Sequence, residues 1–312
     1  MATTIIDTPG DPAVSPEQPS DGIVPGPEVT ASPSDPNMLR KLYAAMLHCS
    51  MVEDQAEQLA PSRKARASLD RRDLEATTVG SMIELRAGDA ISSELGFAAH
   101  MFSGQPLGLY FAELHGLRSE YLAFAPEGAN RAVHLLPHAP TIAAQLNTAA
   151  GFALALKKEK RPNVVLVHLP DGANALGYWH DAATLAAAER LAIIFVAISQ
   201  PANAQSFGSE SMRQRAWAYG IPGITVDGGD VVGTWRVAQE SIYRARGGAG
   251  PTLIDSQLPA AQSGHSAPLA RMQHYLEKRN LWNESWKDEL VQKFLAEIEA
   301  AQTFFRQAGE TQ

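Results

Sequence analysis

Short apolar runs alternate with amphipathic stretches through the second half of the chain. Residues 164–169, 191–198, 224–226 and 252–258 are rich in Val, Ile and Leu and fit the length of strands. Between them, residues 175–190, 209–219 and 231–246 carry apolar positions at helical spacing. Strands buried on both faces read as continuous apolar runs, so the alternation predicts an α/β fold: a mostly parallel sheet with helices on both faces. The ligand site of such a sheet lies at the carboxyl ends of its strands, where the following turns begin.

The first half is patterned differently. After an Asp35-Pro36-Asn37 start signal, Leu39, Leu42, Met46, Met51 and Leu59 recur at roughly helical spacing and predict the first ordered helix. Residues 73–131 read as mixed and mostly helical, broken at Gly88, Gly104, Pro106, Gly116 and Pro126. The segment TIAAQLNTAAGFALALKKEK is apolar on nearly all sides and predicts a buried helix, with lysines where its C-terminal dipole favours cations. The last stretch, MQHYLEKRNLWNESWKDELVQKFLAEIEAAQTFFRQ, reads as two amphipathic helices with Asn283 or Ser285 capping the second. Residues 1–36 hold eight of the 20 prolines, six acids and no basic residue. Such a segment cannot bury enough apolar surface to offset its chain entropy and is expected to be disordered. The expected organisation is therefore a tail (1–36), an α/β domain (37–270) and C-terminal helices (271–312) packing on the same domain.

Composition narrows the function classes. An apolar fraction of 45% in 312 residues is enough for a large core. The net charge of -8 argues against nucleic acid or an anionic membrane as the main partner. The basic stretch PSRKARASLDRRD reads as a solvated helix end or linker. Cys49 is the single cysteine, so an internal disulfide and a CxxC motif are excluded, which fits a reducing compartment. No secretory signal pattern and no apolar run of roughly 20 residues is present, and a cytoplasmic location is expected.

Candidate chemistry begins after the strand at 164–169. The turn PDGAN supplies the Asp171 carboxylate, a flexible Gly172 and backbone N–H groups that open a helix. By itself this is either a plain helix cap or a ligand for a hard cation such as Mg²⁺ that bridges to a phosphate. The other polar residues have plainer readings. His100, His115, His134, His138 and His180 lack paired metal-ligand spacing on one helix, apart from His134 and His138 in a loop, where no third ligand is identifiable. Trp179, Trp217 and Trp235 read as core or interface, Asp181 as an exposed or intersubunit carboxylate, and Ser206 lacks a recognisable base.

The second turn changes the weighting. The run from Asp171 to Ser199-Gln200 resembles the thiamine diphosphate motif, which begins Gly-Asp-Gly and ends about thirty residues later in Asn-Asn. Together with RAWAYGIPGITVDGGDVVGTWRVAQESIYRARGGAGPTLIDSQ, SGHS at 263–266 and MLRKLYAAMLHCSMVEDQ, it is similar to the alpha subunit of the decarboxylating component of 2-oxo acid dehydrogenases, the pyruvate dehydrogenase type. The resemblance covers residues 38–302. It implies a thiamine diphosphate-binding fold and oxidative decarboxylation of a 2-oxo acid with thiamine diphosphate and Mg²⁺. It implies a beta-type partner subunit in an α2β2 assembly and a lipoyl acyltransferase as a further partner. Carried over position by position, Asp171, Gln200 and the Ala202 carbonyl would hold the metal. Gly172, Ala173 and Ile142 would contact the cofactor, and His265 would act near its reactive ring in proton movement or acyl transfer.

The sequence also departs from the motif. Pro170 replaces the first glycine, Ser199-Gln200 replace the two asparagines, and Ala260-Ala261 stand where the family has a tyrosine-arginine pair. A second such pair has no counterpart in DAISSELGFAAHMFSG. These positions leave open a second reading, a catalytically degenerate structural or regulatory subunit that keeps the fold without the cofactor.

Overall fold

The computed structural model describes residues 35–59, 71–114, 133–137, 139, 141–169, 176–199, 212–258 and 267–309. Six parallel strands form one sheet: β1 (Asp89–Ser92), β2 (Val133–Leu135), β3 (Val165–Leu169), β4 (Ile193–Ser199), β5 (Gly223–Asp227) and β6 (Thr252–Gln257), in the order β2-β1-β3-β4-β6-β5. The helices are α1 (Pro36–Leu59), α2 (Glu75–Met82), α3 (Ala98–Phe102), α4 (Leu107–Leu114), α5 (Ile142–Lys158), α6 (Leu176–Ala188), α7 (Met212–Ala218), α8 (Val231–Arg246), α9 (Ala267–Lys278) and α10 (Glu284–Gly309).

Alternation along each strand divides the core into two layers. Leu166, Ile194, Val196 and Ile254 face α1, α2 and α8, and the same cluster takes in Leu276, Phe294 and Ile298 of α9 and α10. Val165, Val167, Phe195, Ala197 and Leu253 face the other way, onto Leu146 and Ala153 of α5, Trp179 and Ala183 of α6, and Ala216 of α7. Both layers are apolar, which is why β3 and β4 lack the polar alternation of a half-exposed sheet, whereas the edge strand β5 keeps it, with Thr225 and Asp227 exposed. Each large side chain buried there contributes roughly 1.5–3 kcal/mol. Cys49 is buried, and burial pushes its thiol well above the ordinary range, so it packs as a small hydrophobe.

The alternating half of the chain folds as its pattern predicts. Residues 231–246 are helical as expected, with Asp230 as the cap, its Oδ1 accepting from Val232 N and Gly233 N at 3.0 Å. Asn283 caps α10, accepting from Trp286 N at 3.4 Å. Trp179 and Trp235 are core residues, whereas Trp217 is 55% exposed with Arg213 over its ring.

Two elements differ from the expectation. The stretch read as mostly helical, residues 73–131, contains β1, and β2 follows just after it at residues read as a loop around His134; together they extend the sheet beyond β3. Asp89 and Ser92 give β1 polar ends, so no apolar run announces it. The reason for Asp89 is visible in three dimensions: fully buried, its carboxylate accepts from Val164 N (3.0 Å), Asn163 Nδ2 (3.2 Å), Arg86 N (2.8 Å) and the Arg246 guanidinium. It pins β1, β3 and the end of α8 at one edge. The second difference is α5. Its Leu146, Ala149, Ala153 and Leu156 are buried, but Asn147, Gly151 and Ala155 are exposed, so one face of the helix is open. Small residues on all sides hide that division from the sequence pattern. Helix α2 is buried along its whole length. It lies so close to α8 that a Cβ on Gly80 would sit 3.0 Å from Thr234 Cβ and from Val231 O.

Candidate functional site

The strand order places a crevice between β1 and β3. From β1 the chain moves outward to β2, then returns past β1 to β3 on the other side, and such a switch point opens a groove at the carboxyl ends of the two strands. Helix α5 begins at that groove. Thr141 caps it, its hydroxyl accepting from Ala144 N at 3.1 Å. One turn on, the buried Gln145 donates from Nε2 to Ser92 O of β1 and to His168 O of β3, both at 3.2 Å. A single amide thus bridges the last turns of both strands and fixes the first turn of α5, with half-buried Ile142, over the crevice.

His168 stiffens the same place. It lies fully buried in the apolar run of β3, with Nε2 2.9 Å from Ser81 Oγ of α2 and Nδ1 2.9 Å from Ser93 Oγ after β1. Ser81 donates to Thr78 O at 3.2 Å, so its oxygen accepts the Nε2 proton, and the Ser93 hydroxyl donates to Nδ1. Ser93 Oγ also accepts from Leu95 N at 3.2 Å. In this arrangement both ring nitrogens of the neutral imidazole are paired. Burial pushes its pKa down to about 3.

Further along the edge, Ser199 at the end of β4 donates to Asp255 Oδ1 of β6 at 2.7 Å. Thr77 Oγ1 and Ser256 Oγ lie 2.6 Å apart, and Thr77 donates to Gly228 O at 3.2 Å. Past β5, Arg271 of α9 donates to Asp227 Oδ2 (2.5 Å) and Asp230 Oδ2 (3.2 Å). Burial acts to raise the pKa of the Asp227 carboxyl and is the largest single effect, but the hydrogen bonds from Arg271 and Gly229 N and the charge of Arg271 together hold it below its ordinary range. This clamp fixes α9, which begins two residues after His265, against the end of β5.

Of the sequence-predicted site residues, Ile142 is described, at the crevice. Asp171, Gly172, Ala173, Gln200, Ala202 and His265 lie outside the described residues, as does His138. Asp171 follows the end of β3 by two residues and Gln200 follows the end of β4 by one. Among the described residues, no three metal-ligating side chains cluster, and Asp181 is exposed. Sequence reasoning missed Gln145, His168, Ser93 and Asp255. The available signal was a polar residue inside an apolar strand, in VLVHL and in TLIDSQ.

The family description "Dehydrogenase E1 component" matches residues 43–258, which spans β1 through β6. The chain is 35% identical over 202 residues to the pyruvate dehydrogenase E1 component subunit alpha of Staphylococcus aureus, covering 56% of this chain and 53% of that protein. The corresponding subunit of Staphylococcus epidermidis is 33% identical over the same shares. An X-ray structure of "a putative thiamin diphosphate-dependent enzyme" from Mycobacterium smegmatis aligns with a TM-score of 0.37 and 16% identity, over 60% of this chain and 31% of that one. The chain spans about half the length (53%) of the curated relatives it matches. With the matched region running through all six strands and the crevice between them, the chain belongs to the dehydrogenase E1 component family.

Proposed function

We propose that this chain is an alpha-type subunit of the decarboxylating component of a 2-oxo acid dehydrogenase. It binds thiamine diphosphate through Mg²⁺ at the carboxyl ends of β3 and β4, against a beta-type partner in an α2β2 assembly. A lipoyl acyltransferase is the acceptor of the acyl group. The observation that carries this reading is the crevice between β1 and β3, closed at its base by Gln145 and rigidified by His168. In the sequence, the segment that resembles the thiamine diphosphate motif follows directly on the end of β3.

Asp171, Gln200 and the Ala202 carbonyl would hold Mg²⁺, and the Gly172 and Ala173 amides would face the diphosphate. Ile142 would pack beside the cofactor, and His265 would move a proton near its reactive ring. When bound, thiamine diphosphate supplies the electron sink for decarboxylation, and the protein supplies orientation. Gln145 and His168 keep the walls of the crevice in one arrangement, which limits the reorganisation needed on binding.

A second reading is favoured by one specific observation. Among the described residues that end the strands and follow them, from Ser92 to Phe97, at Leu169, at Ser199, from Asp227 to Asp230 and at Gln257 and Leu258, no Lys or Arg is present. Pro170 and Ala260-Ala261 add to this, because a diphosphate is held most strongly by bidentate guanidinium contacts. On this reading the chain is a structural or regulatory subunit that retains the fold and its assembly surfaces. The two readings separate in one assay. The chain is co-purified with a beta-type partner, given Mg²⁺, thiamine diphosphate and a panel of 2-oxo acids, and CO₂ release is followed. Release that Asp171→Ala abolishes supports catalysis. No release with any acid, from an intact assembly, supports the structural subunit.

A further inference from the structure

The two edges of the sheet differ in charge. Because the strands are parallel, the loops that enter β1, β3, β4 and β6 lie side by side along the N-terminal edge, away from the crevice. Residues 84–89, 157–163, 189–192 and 244–251, which make up these loops and the helix ends before them, hold eight Lys and Arg against four Asp and Glu. That is a net of +4 in a chain of net charge -8, so the remainder carries -12. The described strand ends at the opposite edge hold no Lys or Arg.

The four loops join into one surface. Arg86 Nη2 donates to Pro162 O at 3.5 Å and Asn163 Nδ2 to Ala87 O at 3.1 Å, which ties the loops before β1 and β3. Lys157 Nζ lies 2.9 Å from Glu189 Oε2, and Arg190 Nη2 donates to Gly248 O at 3.2 Å, which carries the contact on to the loops before β4 and β6. Arg86, Lys158, Lys160, Arg161, Arg190 and Arg244 are exposed along it. Lys158, Lys160 and Arg244 have no hydrogen-bond or ion-pair partner among the described residues. The dipole of α5 favours Lys157 and Lys158 in its last turn. It does not account for Lys160 and Arg190, which follow helices in the left-handed conformation, with φ of 57° and 47°. Glycine or asparagine adopts that backbone with less strain, yet both positions carry an exposed cation.

We infer that this edge is a docking surface for an acidic polypeptide segment of a partner protein. Neighbouring strands lie about 4.8 Å apart, so the row from β1 to β6 is about 15 Å long, the span of about five extended residues. A segment of that length with a carboxylate at most positions matches the excess of positive charge, and the guanidinium groups of Arg161 and Arg190 can take carboxylates in bidentate fashion. A nucleic acid fits less well, because a polyanion that runs past the row meets the remaining surface of a chain that carries -12 outside it. The surface lies at the end of the sheet away from the crevice, so its occupation does not depend on the cofactor reading.

The test is fluorescence anisotropy of a labelled peptide, Gly-Ser-Asp-Glu-Asp-Glu-Asp, titrated with the full-length chain and any beta-type partner purified with it. Saturable binding at low ionic strength is expected, weakened at least tenfold between about 50 and about 500 mM NaCl, since exposed charge pairs are screened. Lys158→Glu with Lys160→Glu should abolish it; both side chains are exposed and unpaired, and circular dichroism checks the fold. Arg190→Asn, which suits the left-handed backbone, should weaken binding about threefold without lowering the unfolding temperature, and it serves if the charge-reversed protein misfolds. Lys41→Gln with Lys278→Gln, at exposed positions of α1 and α9, removes the charge of two lysines elsewhere and should leave affinity within about twofold. No saturable binding at low salt, or equal affinity in the parent and the folded variants, would overturn the inference. So would a twelve-nucleotide thymidine strand that displaces the peptide and binds at least tenfold more tightly, which would make the surface a nucleic acid site. Peptide binding is expected with or without thiamine diphosphate, so a failure of the cofactor reading leaves this result in place.

Discussion

Acid should destabilise this protein through one histidine. His168 is neutral in the folded state with a pKa near 3, against an ordinary value of 6.5 in the unfolded chain, and burial is the cause. Because the folded value is the lower one, the unfolded chain binds the extra proton. The contribution to stability is therefore complete above pH 6.5 and is lost as pH falls toward 3. From those two values the loss is about 2 kcal/mol at pH 5 and about 3 kcal/mol at pH 4, approaching roughly 5 kcal/mol below pH 3. The perturbation is His168→Gln, which cannot titrate but retains one donor and one acceptor for Ser81 and Ser93. At pH 7.5 the variant should be less stable by about 1–2 kcal/mol, because its amide cannot reach both serines as the ring does. Between pH 7.5 and 5 the parent should lose about 2 kcal/mol more than the variant. With a urea slope of about 3 kcal/mol per molar for a chain of this size, that is a relative midpoint shift of about 0.7 M. Tryptophan fluorescence reads the transition, and Trp179 and Trp235 in the two core layers report on both sides of the sheet. His48, also held below its usual pKa by burial, titrates in both proteins and cancels in the comparison. Equal pH slopes for parent and variant would refute the reasoning.

Three further outcomes follow from the packing. Asp89→Ala removes the acceptor for Arg246, Asn163 and two backbone amides, and should cost about 3–5 kcal/mol in urea unfolding, with Arg246→Ala nearly as damaging because it strands the carboxylate. Gly80→Val should destabilise by about 1–3 kcal/mol, since its side chain meets Thr234 and the Val231 carbonyl, whereas Gly80→Ala should cost less because alanine favours the helix; thermal unfolding checks the order. Gln145→Leu leaves the Ser92 and His168 carbonyls without their shared donor, and should loosen the crevice more than the core: amide exchange should rise in residues 92–97 and at the start of α5 while the α2–α8 contact stays protected.

The fold was legible where chain pattern and burial coincide. In β3 and β4 both faces of the strands are apolar, and the intervening helices carry the complementary stripe, so the run lengths order the elements; β5, at the sheet edge with Thr225 and Asp227 exposed, shows only a short apolar run. β1 was not legible because its defining residue is a charge: Asp89 belongs in the interior only by virtue of four donors, three of them more than 70 residues away in sequence or supplied by another element's end. The open face of α5 was hidden for the opposite reason, since Ala and Gly look alike to a periodicity argument whether buried or exposed. At the site, the motif and its turns were readable as a resemblance. The groups that hold the crevice together were not, because Gln145, His168 and Ser93 acquire meaning only when the switch in strand order brings the ends of β1 and β3 side by side.

The central claim is that the turn after β3 holds a cofactor diphosphate. The most direct measurement is cofactor content: the native assembly is purified gently, denatured, and the extract oxidised to thiochrome for fluorescence. Near-stoichiometric thiochrome per chain, lost on Asp171→Ala, is the predicted result. None, after Mg²⁺ and excess thiamine diphosphate have been offered with the beta-type partner present, would contradict the claim and leave the crevice as the scaffold of a structural subunit.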